Sequence, residues 1–259
     1  MPKFSANLSM LFTEVDFMQR FRRAKEQGFS AVEYMFPYDY PIAALRSELE
    51  AHRLSQVLFN LPAGDWAAGE RGIACLPGRE AEFRDGVGRA IEYAQALGCD
   101  RINCLIGNPD PAVGRHTTDE RVKENLSYAA DTLARQNIRL LIEPINRYDM
   151  PQFYLQTSRQ AIELIEAIGS PNLYLQYDLY HMQRMEGELT ETLERLLAKI
   201  DHVQVADNPG RHEPGTGEIN CEFIFAQLDR MGYRGWIGCE YKPLTTTESG
   251  LSWIKKYLS

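Results

Sequence analysis

The chain has 259 residues, 44% of them hydrophobic and 25% charged, and its formal net charge is −8. That size and composition fit one folded α/β barrel and exclude a disordered chain. They also argue against a nucleic-acid partner, because phosphate backbones are held by clustered Lys and Arg, and against a membrane partner, because no run of 18 apolar residues is present.

Short β-like runs alternate with amphipathic helical patterns along the whole length. A first strand is expected at residues 4–8 and a helix at 15–27, closed by Gly28, where a left-handed residue is wanted. Strand 31–35 and helix 42–52 follow. Next come strand 56–60 and helix 79–97, in which Phe83, Val87, Ile91, Ala94 and Leu97 recur at helical spacing before Gly98. Strand 101–106 precedes helix 119–136, strand 139–143 precedes helix 158–168, and strand 174–178 precedes helix 189–199. Strand 202–206 with helix 221–231, and strand 236–240 with helix 248–257, complete eight units. Eight β-then-α units without a composition break predict a single (β/α)8 TIM barrel, one domain spanning residues 1–259. The competing open doubly wound sheet would carry a Gly-rich loop after its first strand, and Phe4-Ser-Ala-Asn-Leu-Ser-Met10 has no glycine.

Five cysteines (Cys75, Cys99, Cys104, Cys221, Cys239) are odd in number and form no C-x-x-C pair, which predicts free thiols in a reducing compartment, the cytoplasm by default. The apolar patch at residues 8–12 is too short for a signal-peptide core.

Four of the later strands end in polar, metal-competent side chains: Glu143, Asp178, Gln204 and Glu240. An acid where a buried parallel strand stops costs stability unless its charge is compensated, and in such barrels that end carries the chemistry. The four offer oxygen only, which suits a hard divalent ion, Mg²⁺ or Mn²⁺. Glu143 and Glu240, on the fifth and eighth strands, would face each other across the barrel mouth as a general acid and base. His181, three residues after Asp178, is expected to hold a substrate oxygen, whereas His202, at the start of its strand, reads as structural. Two long loops, 61–78 and 207–220, emerge on the same face. In the first, Trp66 would cover a small pocket while Glu70 and Arg71 latch it and Arg71 meets a substrate carboxylate. Arg211 and Lys242 are the alternative carboxylate partners.

The motifs Phe4-Ser-Ala-Asn-Leu-Ser-Met10, Ile142-Glu-Pro-Ile-Asn146, Tyr177-Asp-Leu-Tyr-His181, Glu213-Pro-Gly-Thr-Gly-Glu-Ile219 and Gly238-Cys-Glu-Tyr-Lys-Pro243 closely resemble those of the hydroxypyruvate isomerase family, within the xylose-isomerase-like TIM-barrel superfamily. The resemblance covers essentially the full length. It implies an isomerase interconverting hydroxypyruvate and 2-hydroxy-3-oxopropanoate in glyoxylate metabolism, with Glu143 and Glu240 as its acid/base pair. It also implies metal ligands at Glu143, Asp178, Gln204 and Glu240. The related 2-oxo-tetronate isomerases share much of this frame, so a four-carbon substrate is the alternative. Ketose 3-epimerases usually place a histidine where Gln204 stands and a glutamate where Arg147-Tyr-Asp149 stands, which disfavours that activity. A phosphodiesterase of the apurinic-endonuclease type shares the barrel, but it would need more histidines and a basic surface. A non-catalytic sugar-acid binding protein would explain a pocket but not two flanking glutamates. The expected partner is thus a small 2-oxo or 2-hydroxy acid, with a homo-oligomer left open.

Overall fold

A computed structural model describes residues 1–258. Eight parallel strands close into one barrel in sequence order: β1 (Lys3–Asn7), β2 (Ala31–Glu33), β3 (Ser55–Asn60), β4 (Arg101–Cys104), β5 (Arg139–Ile142), β6 (Leu173–Asp178), β7 (Ile200–Val205) and β8 (Trp236–Cys239). β1 pairs with β8 along Lys3–Trp236 to Ala6–Cys239, which completes the ring and removes every sheet edge. The main helices are α1 (Phe17–Glu26), α2 (Ile42–His52), α3 (Glu80–Leu97), α4 (Arg115–Ala134), α5 (Ser158–Ile168), α6 (Leu179–Met185), α7 (Leu189–Leu196), α8 (Cys221–Arg230) and α9 (Thr247–Gly250). All eight expected strands form, each within two residues of its expected bounds. The α6 helix was not expected; it starts directly on Asp178, whose Oδ1 caps it by accepting from the Tyr180 amide at 2.8 Å. The expected last helix breaks into α9 and two 3₁₀ turns, in a stretch where Ser249, Gly250 and Ser252 favour turns over helix.

Alternation along each strand divides the molecule into two cores. Outward residues such as Phe4 meet the helical shell, with ring centroids 5.1 Å from Phe225 and 5.4 Å from Trp253. Inward residues are unusually polar in the upper barrel: Ser5, Asn7, Glu33, Asn60, Asn103, Gln176, Asp178, His202 and Gln204 are all buried. A small apolar cluster of Ala31, Val57, Leu58 and Leu141, flanked by Tyr174 and Trp236, forms the floor. Barrel interiors are normally filled by branched aliphatic side chains. Here the polar layer replaces them and opens into a cavity at the C-terminal face.

Candidate active site

Glu143 and Glu240 stand one residue beyond β5 and β8. Pro144 follows Glu143 and supplies no N–H to continue the ladder, so the strand stops with the acid at the rim. Both carboxylates line a cavity of about 170 Å³ whose wall also includes Asn7, Glu33, Trp66, His181, Gln204, Arg211 and Lys242. Asp178 lies fully buried behind it. Arg211 Nη2 donates to Glu240 Oε1 at 2.7 Å and lies 3.6 Å from Asp178 Oδ2. Its guanidinium also rests over Tyr180, 5.1 Å from the ring centroid, a cation–π contact.

Charge in this layer is unbalanced. Burial, together with Glu240 and Asp178, pushes the Glu143 carboxyl well above the usual carboxylate range. Burial also raises Glu240 and Asp178, although Arg211 opposes it at both. A single buried guanidinium facing three buried acids leaves excess negative charge, which either a proton or a cation can relieve. Burial, with Arg211 and Arg184 nearby, holds His181 well below its ordinary value, so its ring is neutral.

The structure sorts the expected residues. Glu143, Glu240, His181, Gln204, Arg211 and Lys242 meet at the cavity; Glu70 and Arg71 do not. Glu70 is taken by an ion pair with Arg79 and by the Asp65 amide, 2.5 Å away. Arg71 donates to the carbonyls of Trp66 (3.1 Å) and Glu70 (2.7 Å) and stacks over the Trp66 ring at 4.2 Å. The two residues therefore shape their own loop, and only Trp66 reaches the cavity. A ligand role for Gln204 is also corrected. Its Oε1 accepts from Gln176 Nε2 at 2.7 Å, while its Nε2 donates to Glu33 Oε1 at 2.8 Å and to Glu240 Oε2. Gln204 presents a donor to the acids rather than an oxygen to a metal.

Among the described residues, Glu143, Asp178 and His181 form the one group with potential ligand atoms all within 4.8 Å of one another. Glu143 Oε1 and Asp178 Oδ2 are buried without hydrogen-bond partners. Two carboxylate oxygens free of hydrogen bonds are what a hard divalent cation needs, since Mg²⁺ is commonly held by one or two carboxylates plus substrate oxygens. The residues present fit such an ion.

Two organising residues were not foreseen. Glu33, on β2, accepts from Ser5 Oγ (2.8 Å), Asn7 Nδ2 (3.2 Å) and Gln204, and pairs with His202 Nε2 at 2.9 Å. Burial alone would raise it, but His202, Gln204 and Ser5 outweigh that and hold it below the usual range. His202, expected at the start of its strand, is buried inside the barrel as the third residue of β7. The other organiser is Asp207, which accepts from the amides of Asn208, Gly215, Gly217 and Ile219 and so folds the loop that carries Arg211. A lone acid followed by a Gly-rich loop was the available signal for it.

All five cysteines are buried and free; burial pushes Cys75, Cys99 and Cys221 up to about 12, which leaves no thiolate nucleophile among those three.

Residues 21–257 match the xylose isomerase-like TIM barrel family model. The chain belongs to this family. It is 57% identical to hydroxypyruvate isomerase of Escherichia coli (strain K12), over 99% of this chain and 100% of that protein. It is 47% identical to 2-oxo-tetronate isomerase of Cupriavidus necator, covering 100% of this chain and 99% of that one. Full-length identity at this level to two isomerases makes the chain an isomerase as well. Among solved structures, a protein described as an AP endonuclease of family 2 from Brucella melitensis superimposes with a TM-score of 0.97 at 47% identity, covering 99% of each chain.

Proposed function

We propose that this isomerase interconverts hydroxypyruvate and 2-hydroxy-3-oxopropanoate by moving a proton between adjacent carbons through an enediolate. The observation that carries the reading is the convergence of Glu143 and Glu240 on one buried cavity, in a chain 57% identical to a hydroxypyruvate isomerase. One glutamate takes a proton from C3 of hydroxypyruvate, and negative charge gathers on the C2 oxygen. The other returns a proton to C2, while the C3 hydroxyl passes its own proton to the C2 oxygen, so that C3 becomes the aldehyde and C2 carries the hydroxyl. Burial raises both carboxyls, with Glu240 and Asp178 adding to it at Glu143 and Asp178 and Glu33 at Glu240, which favours one of the pair holding a proton for delivery. Arg211 and His181 supply donors to the substrate oxygens. Lys242, exposed at the rim and without an ion pair among the described residues, is the partner for the substrate carboxylate. Trp66, packed against Phe36 at 5.1 Å, provides the apolar cover that keeps water from the enediolate.

Glu143 and Asp178 would hold a divalent cation, Mg²⁺ or Mn²⁺, which when bound would offset the charge that develops on the substrate oxygens. The net charge of −8 and the single metal-competent cluster among the described residues support an isomerase over a nuclease. Five buried free thiols support a reducing compartment, the cytoplasm.

Solvent deuterium should enter the product without added nicotinamide. A strict requirement for a redox cofactor, or cleavage of abasic DNA in place of isomerisation, overturns the proposal. Comparing kcat/KM for hydroxypyruvate and a four-carbon 2-oxo-tetronate separates the two isomerase readings.

A further inference from the structure

His181 lines the cavity with its Nε2 on the side of Glu143 and Asp178, and its other ring nitrogen is held by Asn146. Nδ1 lies 2.7 Å from Asn146 Nδ2 and 3.4 Å from the Asn146 backbone N–H. The direction of the first contact depends on which way the Asn146 amide faces, and three neighbours decide that. Its Oδ1 accepts from the backbone amides of Tyr148 (3.0 Å) and Asp149 (2.9 Å), forming an Asx turn, while its Nδ2 donates to Asp149 Oδ2 at 3.1 Å. Rotating the amide by half a turn would set Nδ2 against two N–H donors and Oδ1 against a carboxylate oxygen. All three contacts would become repulsive, so the orientation is determined by chemistry. Asp149 is itself anchored, accepting from Arg184 Nη1 at 2.9 Å and from the Tyr180 hydroxyl at 3.3 Å.

We infer that Asn146 is a positioning residue that locks His181 as the Nε2–H tautomer, so that the ring faces the cavity as a hydrogen-bond donor and is barred from ligating a metal. With two N–H groups directed at it, Nδ1 must carry the lone pair, and the ring proton resides on Nε2. That nitrogen lies 3.6 Å from Asp178 Oδ2 and 3.9 Å from Glu143 Oε1, outside hydrogen-bond range of both. A metal-ligating imidazole shows the opposite arrangement: its distal nitrogen donates to a carboxylate or carbonyl, leaving the lone pair for the ion. Despite its place in the ligand-like cluster, His181 is thus built to donate to a substrate oxygen. The use of that donor in catalysis rests on the isomerase reading above; the tautomer itself does not.

The test is ¹⁵N NMR of histidine-labelled wild-type protein, in which protonated and unprotonated ring nitrogens resonate far apart, with His181→Gln used for assignment. Nε2 should carry the proton and Nδ1 should not. Asn146→Asp keeps an acceptor for the Asx turn but places a carboxylate oxygen against Nδ1; it should move the proton to Nδ1. It should also lower kcat/KM by about 10–100-fold, the usual effect of altering such supporting partners. In a His181→Gln background the same substitution should add little further loss, because it acts through the ring. A wild-type Nδ1–H signal overturns the inference, even if Asn146→Asp fails to fold. So does an Asn146→Asp protein whose tautomer is unchanged. Absence of hydroxypyruvate turnover alongside the expected wild-type spectrum would fault the substrate assignment and leave the tautomer standing.

Discussion

The carboxylate of Glu33 lies where a side chain on residue 238 would stand: a Cβ on Gly238 would come within 2.3 Å of Oε1 and 2.4 Å of Oε2. The glycine on β8 therefore makes room for a buried acid on β2, and that acid holds Asn7 and Gln204, both of which donate to Glu240. Gly238→Ala should displace Glu33 from His202 and Gln204 and destabilise the fold by about 1–3 kcal/mol, the typical cost of overpacking. Urea unfolding measures it, as a lower midpoint with an unchanged slope. An unaltered midpoint would mean that Glu33 is not confined as described.

For the paired acids, Glu143→Gln and Glu240→Gln should each reduce kcat by at least ~10²-fold with the fold intact, since positioned proton transfer contributes about that much or more. Because Glu143 is also proposed as a metal ligand, both variants are assayed with excess Mg²⁺ and Mn²⁺. A variant retaining wild-type kcat removes that residue from the reaction.

Three basic residues should separate by kinetics. Lys242→Gln should raise KM for hydroxypyruvate by about 10–100-fold with a smaller change in kcat, as expected for one charged hydrogen bond made equally in ground and transition states. Arg211→Ala should depress kcat/KM by ~10²-fold or more, because it leaves Glu240 and Asp178 without their cation. Arg71→Ala should change neither parameter by as much, since Arg71 supports Trp66 from behind. A large KM effect confined to Arg71→Ala would contradict the assignment of the carboxylate to the rim at Lys242.

Stability should depend on pH from two directions. Glu33 is held below the ordinary carboxylate range, so its contribution is present above its unfolded pKa and is lost as pH falls through its lower folded value. Glu143 and Glu240 are held above that range; their contribution is full below the unfolded pKa and is lost as pH rises through the folded values. Glu33→Gln should flatten the acid limb of a Tm-against-pH curve, and Glu143→Gln should raise the alkaline limb relative to wild type. Opposite changes would show the assigned shifts to be reversed.

Divalent cation should stabilise the native protein by mass action, by about 2.7 kcal/mol at a free concentration of 100 Kd. Mn²⁺ titration followed by Tm should therefore saturate, and Asp178→Asn should abolish most of the shift by removing one of the two unpartnered oxygens. A shift that survives Asp178→Asn places the ion elsewhere.

What was legible in the amino-acid sequence was local. Eight strands, most of the helices between them and the acids ending β5, β6 and β8 follow from short-range periodicity and from the cost of placing a carboxylate where a buried strand stops. Closure of the barrel decided the rest, because residues far apart in sequence become neighbours only when β8 returns to β1. Glu33 looked like an ordinary strand residue until the ring brought Ser5, His202, Gln204 and the bare face of Gly238 around it. Loop residues were equally undetermined: Arg71 and Arg211 are alike in composition and flanking glycines. Only the fold of each loop turns Arg71 onto Trp66 and, through the amides gathered by Asp207, turns Arg211 onto Glu240. The direction in which an amide or imidazole donates depends on every polar neighbour at once, so the donor role of Gln204, and which ring nitrogen of His181 carries the proton, are decided by the tertiary structure alone.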